Sequence, residues 1–447
     1  MTAKHRYPET GVFYRALDRE FPMIVRGEGC WLIDEKGRRY LDACGGAYVA
    51  NLGHGVSEVA DAVAEQVRKV AYVNGTAFTN EPAEELASEL RTLNPKGLDY
   101  AYFLSSGSEA VEAALKLARQ HWVEAGKPGK HKIIARTPGY HGNTLLALSA
   151  SARESYKKMF GPWLVPVTMI GAPYPYRCSP DAPAMTAEAL EAAIKKEGAD
   201  TVAAFIAEPV GGSSTGASVP PKGYYKRVRE ICDKHNVLFI ADEVLTGCGR
   251  TGTWAAMEHF GVTPDIMTLG KGLSGGYVPL SAVIATKKVL EPIAKGTGSF
   301  KHAQTFSHSP AICAAGLAAV RHIKKNNLVE RSAKMGTVLH KKLSILLDLP
   351  FVGDVRGLGL LAGVEFVADK KTKTPFRRAL KFAETFVNKA QDAGLIVWPN
   401  IGHADGENGD LVMLAPPFIV TEAEIDEIVA RFKIAHAAAL EACHVPR

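Results

Sequence analysis

The chain has 447 residues, of which 47% are hydrophobic and 22% are charged, a composition typical of a folded globular protein and not of a disordered one. Its net charge of +6 comes from 53 basic and 47 acidic residues that are well mixed, which argues against a nucleic-acid or membrane-surface partner and leaves small anionic molecules as the favoured ligands. Seven scattered cysteines without a C-x-x-C pair, and the lack of a signal peptide or an apolar run of about 18 residues, predict a reduced, cytoplasmic protein that spans no membrane.

The two ends of the chain are predicted to form one small α+β domain, because the chain is too long for a single core and each end is too short to bury a core alone. Residues 1–70 are the N-terminal part of this domain. Within them, CWLIDEKGRRYLDA, from Cys30, predicts a β-hairpin that turns at Lys36 and Gly37. The segment SEVADAVAEQVRKV, from Ser57, predicts a helix.

Residues 71–320 are predicted to form a large α/β domain in which a mostly parallel sheet carries helices on both faces. Short apolar runs alternate there with segments of helical periodicity. The predicted strands are YAYFLSS from Tyr100, HKIIAR from His131, TVAAFIAE from Thr201, NVLFIADE from Asn236, DIMTLGK from Asp265 and LSAVIAT from Leu280. The predicted helices are SEAVEAALKLARQHWVEAG from Ser108 and PKGYYKRVREICDKH from Pro221.

Residues 321–447 are predicted to complete the small domain. A long helix in SPAICAAGLAAVRHIKKNN, from Ser309, leads into this part of the chain. Strands are predicted in GDVRGLGLLAGVEF and DLVMLAPPFIV, and a closing helix in TEAEIDEIVARFKIAHAAALEA. The polar stretch IGHADGENGD is predicted to be a loop.

Three predicted strands end in reactive side chains, those of Glu208, Asp242 and Lys271. The carboxyl ends of parallel strands meet at one edge of a sheet, so we expect these groups to share a crevice, although each alone could be a solvated edge charge. Lys271 lies between glycines in LGKGLSGG, which would leave room for a planar ligand. Burial would lower the pKa of its amine and make it a nucleophile toward an aldehyde, while a facing aspartate suits a pyridinium nitrogen.

The segment GCGRTG, from Gly247 to Gly252, spells the G-x-G-x-x-G pattern of a dinucleotide-binding turn. Asp242 and Glu243 stand between the strand and the first glycine, where they would face a pyrophosphate. No ribose-binding acid follows about 20 residues further on. A NAD-dependent oxidoreductase is therefore the less favoured alternative.

A phosphate site is predicted at LSSGSEAVEAALKLAR, where Ser105 to Ser108 join a strand to a helix and can bind an anion at the positive helix end. An ordinary serine N-cap with Glu112 nearby explains the same residues, and both interpretations can hold together. In TPGYHGNT, Tyr140 and His141 follow another strand. An aromatic ring there can stack on a flat cofactor or simply pack.

Taken together, these residues resemble the class III aminotransferases, pyridoxal-phosphate enzymes of fold type I that include the ω-transaminases. The resemblance spans nearly the whole chain. It rests on the order and spacing of seven motifs: SSGSEAVEAALKLAR, YHG, AEPVGG, ADEVLTGCGRTG, TLGKGLSGGYVPLSAV, TFSHSP and RGLGLLAGVE. In this family GCGRTG is the glycine turn after the cofactor aspartate, so the resemblance implies no dinucleotide.

The resemblance implies that pyridoxal 5'-phosphate is the cofactor, that Lys271 is the Schiff-base lysine and that Asp242 pairs with the pyridine nitrogen. Tyr140, also assigned to catalysis, would stack on one ring face. The other implied cofactor contacts are Ser106, Gly107, Ser108, His141, Glu208 and Val244. Thr305 would reach the phosphate of the neighbouring subunit, which implies a homodimer with shared active sites, or a tetramer of such dimers. No metal is expected.

The implied activity is transfer of an amino group from a terminal or aryl-alkyl amine to a keto acid, with pyruvate as the expected acceptor, by a ping-pong mechanism through aldimine and quinonoid forms. In this mechanism Lys271 moves the proton at the substrate carbon. An epimerase, aminomutase or decarboxylase of the same fold is the main alternative, because a fold does not choose the reaction.

Two departures from the family pattern concern the binding of a substrate carboxylate. The ornithine and 4-aminobutyrate branch has an arginine where this chain has Met413, so Glu208 lacks its expected partner. Amine:pyruvate enzymes carry a mobile arginine shortly after the GLI segment, where this chain has Trp398 and Pro399. Another arginine, Arg153 or Arg177, is needed if a carboxylate is to be bound.

Further departures are His308, where the family commonly has glycine, and Leu245, where it commonly has glutamine. His308 is interpreted as a packing residue, with a role behind the cofactor as the alternative. Tyr48, Phe78 and Trp163 are predicted to line an aromatic amine pocket, and Phe78 matches a pocket aromatic of the family best. Large aromatics are more often part of a core. Such a pocket without a fixed arginine would favour amines that have no carboxylate.

Overall fold

The computed structural model describes residues 6–445, and within that range the strands form three sheets. The strands are β1 (Ile24–Glu28), β2 (Trp31–Asp34), β3 (Arg39–Asp42), β4 (Leu98–Leu104), β5 (Lys132–Thr137), β6 (Thr168–Gly171), β7 (Val202–Ala207), β8 (Leu238–Asp242), β9 (Ile266–Leu269), β10 (Ser281–Thr286), β11 (Val352–Gly357), β12 (Ala362–Phe366), β13 (Leu395–Ile396), β14 (Trp398–Ile401) and β15 (Asp410–Leu414).

The helices surround these sheets. They are α1 (Gly45–Tyr48), α2 (Ser57–Lys69), α3 (Glu81–Leu93), α4 (Gly107–Glu124), α5 (Leu145–Ala150), α6 (Glu154–Phe160), α7 (Pro183–Thr186), α8 (Glu188–Glu197), α9 (Tyr224–Lys234), α10 (Lys287–Lys295), α11 (Pro310–Lys325), α12 (Leu328–Leu343), α13 (Phe382–Asp392) and α14 (Glu422–Ala442). Among these described helices, none combines the length and the apolar character that a bilayer crossing requires.

The central sheet has seven strands in the order β4-β10-β9-β8-β7-β5-β6. β10 runs antiparallel to β4 and to β9, and all other neighbours are parallel. The six predicted strands and the mostly parallel sheet are thus confirmed. The prediction lacked β6, a four-residue edge strand with only one buried residue, because so short a segment carries little hydrophobic pattern.

Two layers of helices bury the central sheet, because successive side chains of a strand point to opposite faces. Phe205 of β7 and Phe239 of β8 pack on one face with α8 and α9. Ile206 and Ile240, one position further along each strand, pack on the other face with α4. Both faces are therefore covered with apolar side chains, and the carboxyl ends of the strands are left for a binding site.

The two ends of the chain meet in a four-stranded sheet of order β1-β2-β3-β13. The predicted hairpin is confirmed as the antiparallel pair β2 and β3. The C-terminal strand β13 pairs in parallel with β3, where Leu395 lies opposite Leu41. A second sheet, β11-β12-β15-β14, is antiparallel and comes wholly from the C-terminal part. The domain boundaries at residues 70 and 320 stay predictions.

The predicted helices correspond to α2, α4, α9, α11 and α14. The first turn of α14 is capped by two reciprocal hydrogen bonds between Thr421 and Glu424. The Thr421 hydroxyl accepts from the Glu424 backbone N–H at 3.2 Å, and the Glu424 carboxylate accepts from the Thr421 backbone N–H at 2.9 Å. The predicted loop from Ile401 begins in the last residue of β14 and continues as turns.

Candidate active site

The carboxyl ends of three neighbouring parallel strands open into one cavity of about 1130 Å³. Glu208 follows β7, Asp242 ends β8 and Lys271 follows β9, and all three side chains line this cavity. The other predicted residues that line it are Tyr48, Gly107, Ser108, Tyr140, His141 and Val244. The sheet order brings the three reactive groups together, although Asp242 and Lys271 are 29 positions apart in the sequence (271 − 242 = 29).

Lys271 lies in the cavity with its amine free. Its backbone has a φ of 42°, a left-handed conformation that costs energy for a residue other than glycine and is often found at functional sites. Within residues 6–445 its Nζ donates no hydrogen bond. Burial lowers the pKa of Lys271, although the charges of Asp242 and Glu208 oppose this shift. A larger neutral fraction makes the amine a better nucleophile and base.

Gly272, one of the two glycines beside Lys271, does not leave the room for a ligand that the sequence suggested. A Cβ on Gly272 would lie 2.7 Å from Nδ2 of Asn51, and the Asn51 amide donates to the Gly272 carbonyl at 3.2 Å. A Cβ on Gly270 would meet Cγ1 of Val244 at 3.2 Å. The interpretation is therefore wrong for Gly272, which makes space for Asn51 and so fixes the turn that carries Lys271.

Asp242 is held in one orientation by its neighbours. Its Oδ2 accepts from Nδ1 of His141 at 2.7 Å, and its Oδ1 accepts from the Thr268 hydroxyl at 2.9 Å and from the Val244 backbone N–H at 3.1 Å. The carboxylate is 5% exposed. A buried carboxylate with a fixed direction suits a protonated ring nitrogen. His141, which also lines the cavity, contacts Asp242 directly through this hydrogen bond.

The loop before α4 forms the predicted serine cap, but with a different glutamate. The Ser106 hydroxyl accepts from the Glu109 backbone N–H at 3.3 Å, and the Glu109 carboxylate accepts from the Ser105 backbone N–H at 3.2 Å. Glu112 instead accepts from the Thr144 hydroxyl at 2.7 Å. The cap partner is therefore Glu109, because the third residue of the helix reaches back to the cap and Glu112 lies one turn further on.

The first turn of α4 offers donors to an anion. The backbone N–H groups of Gly107 and Ser108 have no acceptor in the described part of the chain, as expected for the start of a helix. A Cβ on Gly107 would lie 2.6 Å from Cγ1 of Val244, so a side chain there would fill the gap between α4 and the loop after β8. An anion at this point would also be favoured by the helix dipole.

The two predicted ring contacts both lie on the cavity. Tyr140 follows β5, and its backbone N–H donates to Oε2 of Glu208 at 3.3 Å. Val244 follows β8 and lies next to Gly107 and Gly270. Together with the anion site at α4, the aspartate and the free amine, they fit pyridoxal phosphate, which has a phosphate, a flat ring, a basic ring nitrogen and an aldehyde.

Glu208 has neutral partners in place of the missing arginine. Its Oε1 accepts from the Gly212 backbone N–H at 2.9 Å, and its Oε2 accepts from the Ser214 hydroxyl at 3.2 Å in addition to Tyr140. Met413 is buried, with its Sδ 3.3 Å from the Tyr48 hydroxyl. The carboxylate is thus satisfied without a cation.

The three predicted pocket aromatics are in different places. Tyr48 lines the cavity, with its ring 5.9 Å from that of Trp398 and 5.8 Å from Nζ of Lys271. Phe78 and Trp163 are 68% and 69% exposed and do not belong to the cavity lining of the single chain. Thr305 is also exposed and outside it. Their roles stay predictions.

Sequence reasoning did not find the N-terminal segment 14–21, which covers part of the cavity. Arg15 donates from this segment to the Tyr156 hydroxyl, and Arg19 donates to Oε1 of Gln391. No pattern could have indicated this, because the segment forms neither a helix nor a strand and its partners are distant in sequence.

Two further predictions concern residues outside the reactive centre. His308 packs edge-on against Tyr102 at 4.7 Å and Phe103 at 5.8 Å, which supports its interpretation as a packing residue. No helix opens at Gly252, where a Cβ would lie 2.9 Å from Cα of Ala333. The glycine turn therefore packs against α12 and lacks the helix end that a dinucleotide pyrophosphate requires.

Comparison with known proteins gives a consistent result. A family model described as Aminotransferase class-III matches residues 14–435. An uncharacterized aminotransferase of Bacillus subtilis is 39% identical over 421 residues, 93% of this chain and 95% of that protein. The putrescine–pyruvate aminotransferase of Pseudomonas aeruginosa is 33% identical over 440 residues, 96% of this chain and 93% of that protein. The solved structure of a thermostable (S)-enantioselective ω-transaminase from Thermomicrobium roseum is 37% identical, with a TM-score of 0.88 over 99% of this chain and 96% of that one.

Proposed function

This chain belongs to the class III aminotransferases, and from that premise we propose that it moves an amino group from a carboxylate-free terminal or aryl-alkyl amine to a keto acid, with pyruvate as the acceptor. The resemblance, fold type I and dependence on pyridoxal phosphate are confirmed by the family match and by the solved transaminases of the same fold. The choice of amine and acceptor is our own inference.

The proposal is carried by the lining of the cavity beside Lys271. Part of this lining is apolar and aromatic, formed by Tyr48, Val210, Leu245 and Trp398, and the cavity also has charged side chains such as Arg153. The two positions where relatives hold a carboxylate-binding arginine contain Met413 and Trp398, and Glu208 is already satisfied by neutral donors. Burial of an amine's apolar body against these side chains is favourable, whereas a carboxylate in contact with them would lose its hydration and would need a cation from another part of the lining.

Each residue of the site has a definite task in this reaction. When bound, pyridoxal phosphate supplies a protonated pyridine ring that withdraws electrons from the substrate carbon. Asp242 accepts the hydrogen bond of the ring nitrogen and keeps it protonated. Lys271 Nζ, whose pKa is lowered by burial, would take the proton from the substrate carbon and deliver it to the cofactor, which is the proton movement that amino-group transfer requires. The first turn of α4 binds the phosphate and orients the ring.

We also propose that the enzyme is a homodimer with shared sites. Tyr72 and Phe306 meet edge-on at 6.2 Å and are 45% and 57% exposed, and Phe78 is also exposed. An exposed aromatic surface of this kind favours a partner. Gln304, which precedes Thr305, donates to the Ser105 hydroxyl at 3.1 Å, so this surface borders the start of α4.

The seven free cysteines agree with the predicted cytoplasmic location, which remains part of the proposal.

The test is a pair of half-reactions with the purified holoenzyme. We expect 1-phenylethylamine to convert the bound cofactor to pyridoxamine phosphate, seen as loss of its visible absorption, and pyruvate to restore the absorption. Borohydride should attach the cofactor covalently to the wild type but not to Lys271→Ala, as measured by mass spectrometry. If no pyridoxamine phosphate forms, the proposal fails and the alternative reactions, those of an epimerase, aminomutase or decarboxylase, are favoured.

A further inference from the structure

Arg153 is an arginine of the cavity that lacks an ionic partner. It lies immediately before α6 and lines the cavity. Its Nη2 donates to the Ser213 hydroxyl at 3.1 Å, while its buried Nε has no hydrogen-bond partner. In the part of the chain that the structure describes, no carboxylate forms an ion pair with it. A guanidinium with free donors in a partly buried site favours an anionic ligand.

The other arginine that the sequence left open is already engaged. Arg177 lies outside the cavity lining, and its Nε donates to the buried carboxylate of Glu365 at 2.7 Å. Glu365 also pairs with Arg356 at 2.8 Å, so these charges neutralise one another. Removing Arg177 from this cluster to bind a substrate would leave a buried carboxylate with one partner fewer.

Arg153 lies close to the groups that react. Its guanidinium carbon is 5.2 Å from the ring centroid of Tyr140, the predicted cofactor-stacking residue. Tyr48 lines the same cavity; burial raises the pKa of Tyr48 well above its usual value, and the charge of Arg153 opposes this effect. The amine of Lys271 lies 5.8 Å from the Tyr48 ring centroid. Arg153, Tyr48 and Lys271 therefore all line one cavity.

We propose that Arg153 binds the carboxylate of the keto-acid acceptor, an inference that rests on the proposed function and specifies its second half. The carboxylate of pyruvate is bonded directly to the carbon that receives the amino group, so its partner must lie beside the reacting centre. An amine donor without a carboxylate does not need this contact. The two substrates can then use one cavity in turn, with the guanidinium engaged only by the acceptor.

The experiment compares pyruvate with acetaldehyde, which has a hydrogen in place of the carboxylate. Both are added to the enzyme in its pyridoxamine form, and kcat/KM of the half-reaction is measured. Arg153→Met should lower kcat/KM for pyruvate by about 10- to 100-fold, the loss expected for hydrogen bonds to a charged group. The value for acetaldehyde should stay within about twofold. Arg153→Lys should recover part of the loss, because a charge remains but the planar fork does not.

A binding measurement separates this role from a general loss of activity. Calorimetry with pyruvate as the probe, on the enzyme in its pyridoxal form, should give a dissociation constant raised by a similar factor in Arg153→Met. Arg15→Met is the matched control, since it removes a positive charge from the same cavity and leaves Arg153 in place. An unchanged visible spectrum and an unchanged half-reaction with 1-phenylethylamine would show that the variants are folded and loaded.

The proposal is overturned if Arg153→Met affects pyruvate and acetaldehyde equally, if it leaves pyruvate binding unchanged, or if Arg15→Met causes the same loss. Failure of the proposed function has a different signature. In that case the wild type itself transfers no amino group from 1-phenylethylamine to pyruvate, while the calorimetric comparison still decides whether Arg153 binds a carboxylate.

Discussion

Nδ1 of His141 lies 2.7 Å from Oδ2 of Asp242, and both side chains are buried. The imidazole thus supplies one of the hydrogen bonds that hold the carboxylate in place, while the Thr268 hydroxyl holds the other oxygen at 2.9 Å. An aspartate fixed on both oxygens is already oriented for a ring nitrogen before any ligand binds, which reduces the cost of arranging the site.

We expect His141→Ala to lower kcat about 10-fold, because the buried Asp242 loses a hydrogen bond to its charged form and turns more freely. The control is His121→Ala, which removes another buried histidine outside the cavity, whose Nδ1 donates to the Val289 carbonyl at 3.0 Å. The control should lower the melting temperature with kcat within about twofold. Equal kcat losses in both variants would argue against a role of His141 through Asp242.

Gly107→Val should weaken the affinity for pyridoxal phosphate by about 10-fold or more. A Cβ at this position lies 2.6 Å from Cγ1 of Val244, so the new side chain would separate the first turn of α4, the proposed phosphate site, from Val244, the proposed ring contact. The measurement is titration of the apoenzyme with the cofactor, followed by visible absorption. Gly161→Ala has open space around its Cβ and should bind the cofactor as the wild type does. Unchanged affinity in Gly107→Val would refute the assignment of the phosphate site.

The pH dependence of stability should reveal Glu243, whose pKa burial raises from 4.5 to about 7. The carboxyl group binds a proton more tightly in the folded chain, so its contribution to stability is present below pH 4.5 and is lost as the pH rises to about 7. We expect the wild type to lose about 3 kcal/mol relative to Glu243→Gln across this window. Urea unfolding at several pH values measures the difference, and parallel curves for the two proteins would contradict it.

Glu365→Gln should destabilise the fold by about 3 to 5 kcal/mol, because the partly buried guanidinium groups of Arg356 and Arg177 lose the buried carboxylate that they share. Arg356 holds the pKa of Glu365 well below its usual range despite its burial. The contribution is therefore present above the usual glutamate pKa and is lost only in strong acid. Denaturant unfolding near neutral pH checks the loss, with Glu188→Gln, in an exposed ion pair with Arg227, as a control expected to change little.

Much of the reactive centre could be predicted from the sequence. Glu208, Asp242 and Lys271 each follow an apolar run that forms a buried parallel strand, and such strand ends lie at one edge. The serine cap before α4 was also evident, but its glutamate partner was not, since Glu109 and Glu112 differ by only one helical turn. The same limit applies to Gly272, whose missing side chain makes room for Asn51, a residue distant in sequence.

The sequence by itself determined the family, the fold class and the cofactor, because these depend on strand and helix periodicity and on short motifs whose residues act together locally. Only the tertiary structure decided which of Arg153 and Arg177 is available to bind a substrate carboxylate. Arg177 and Glu365 are 188 residues apart, and no local pattern shows that they pair. It also placed Tyr48 in the cavity and Phe78 and Trp163 outside it. Burial and ionic pairing depend on segments that folding brings together, and so they emerge only in three dimensions.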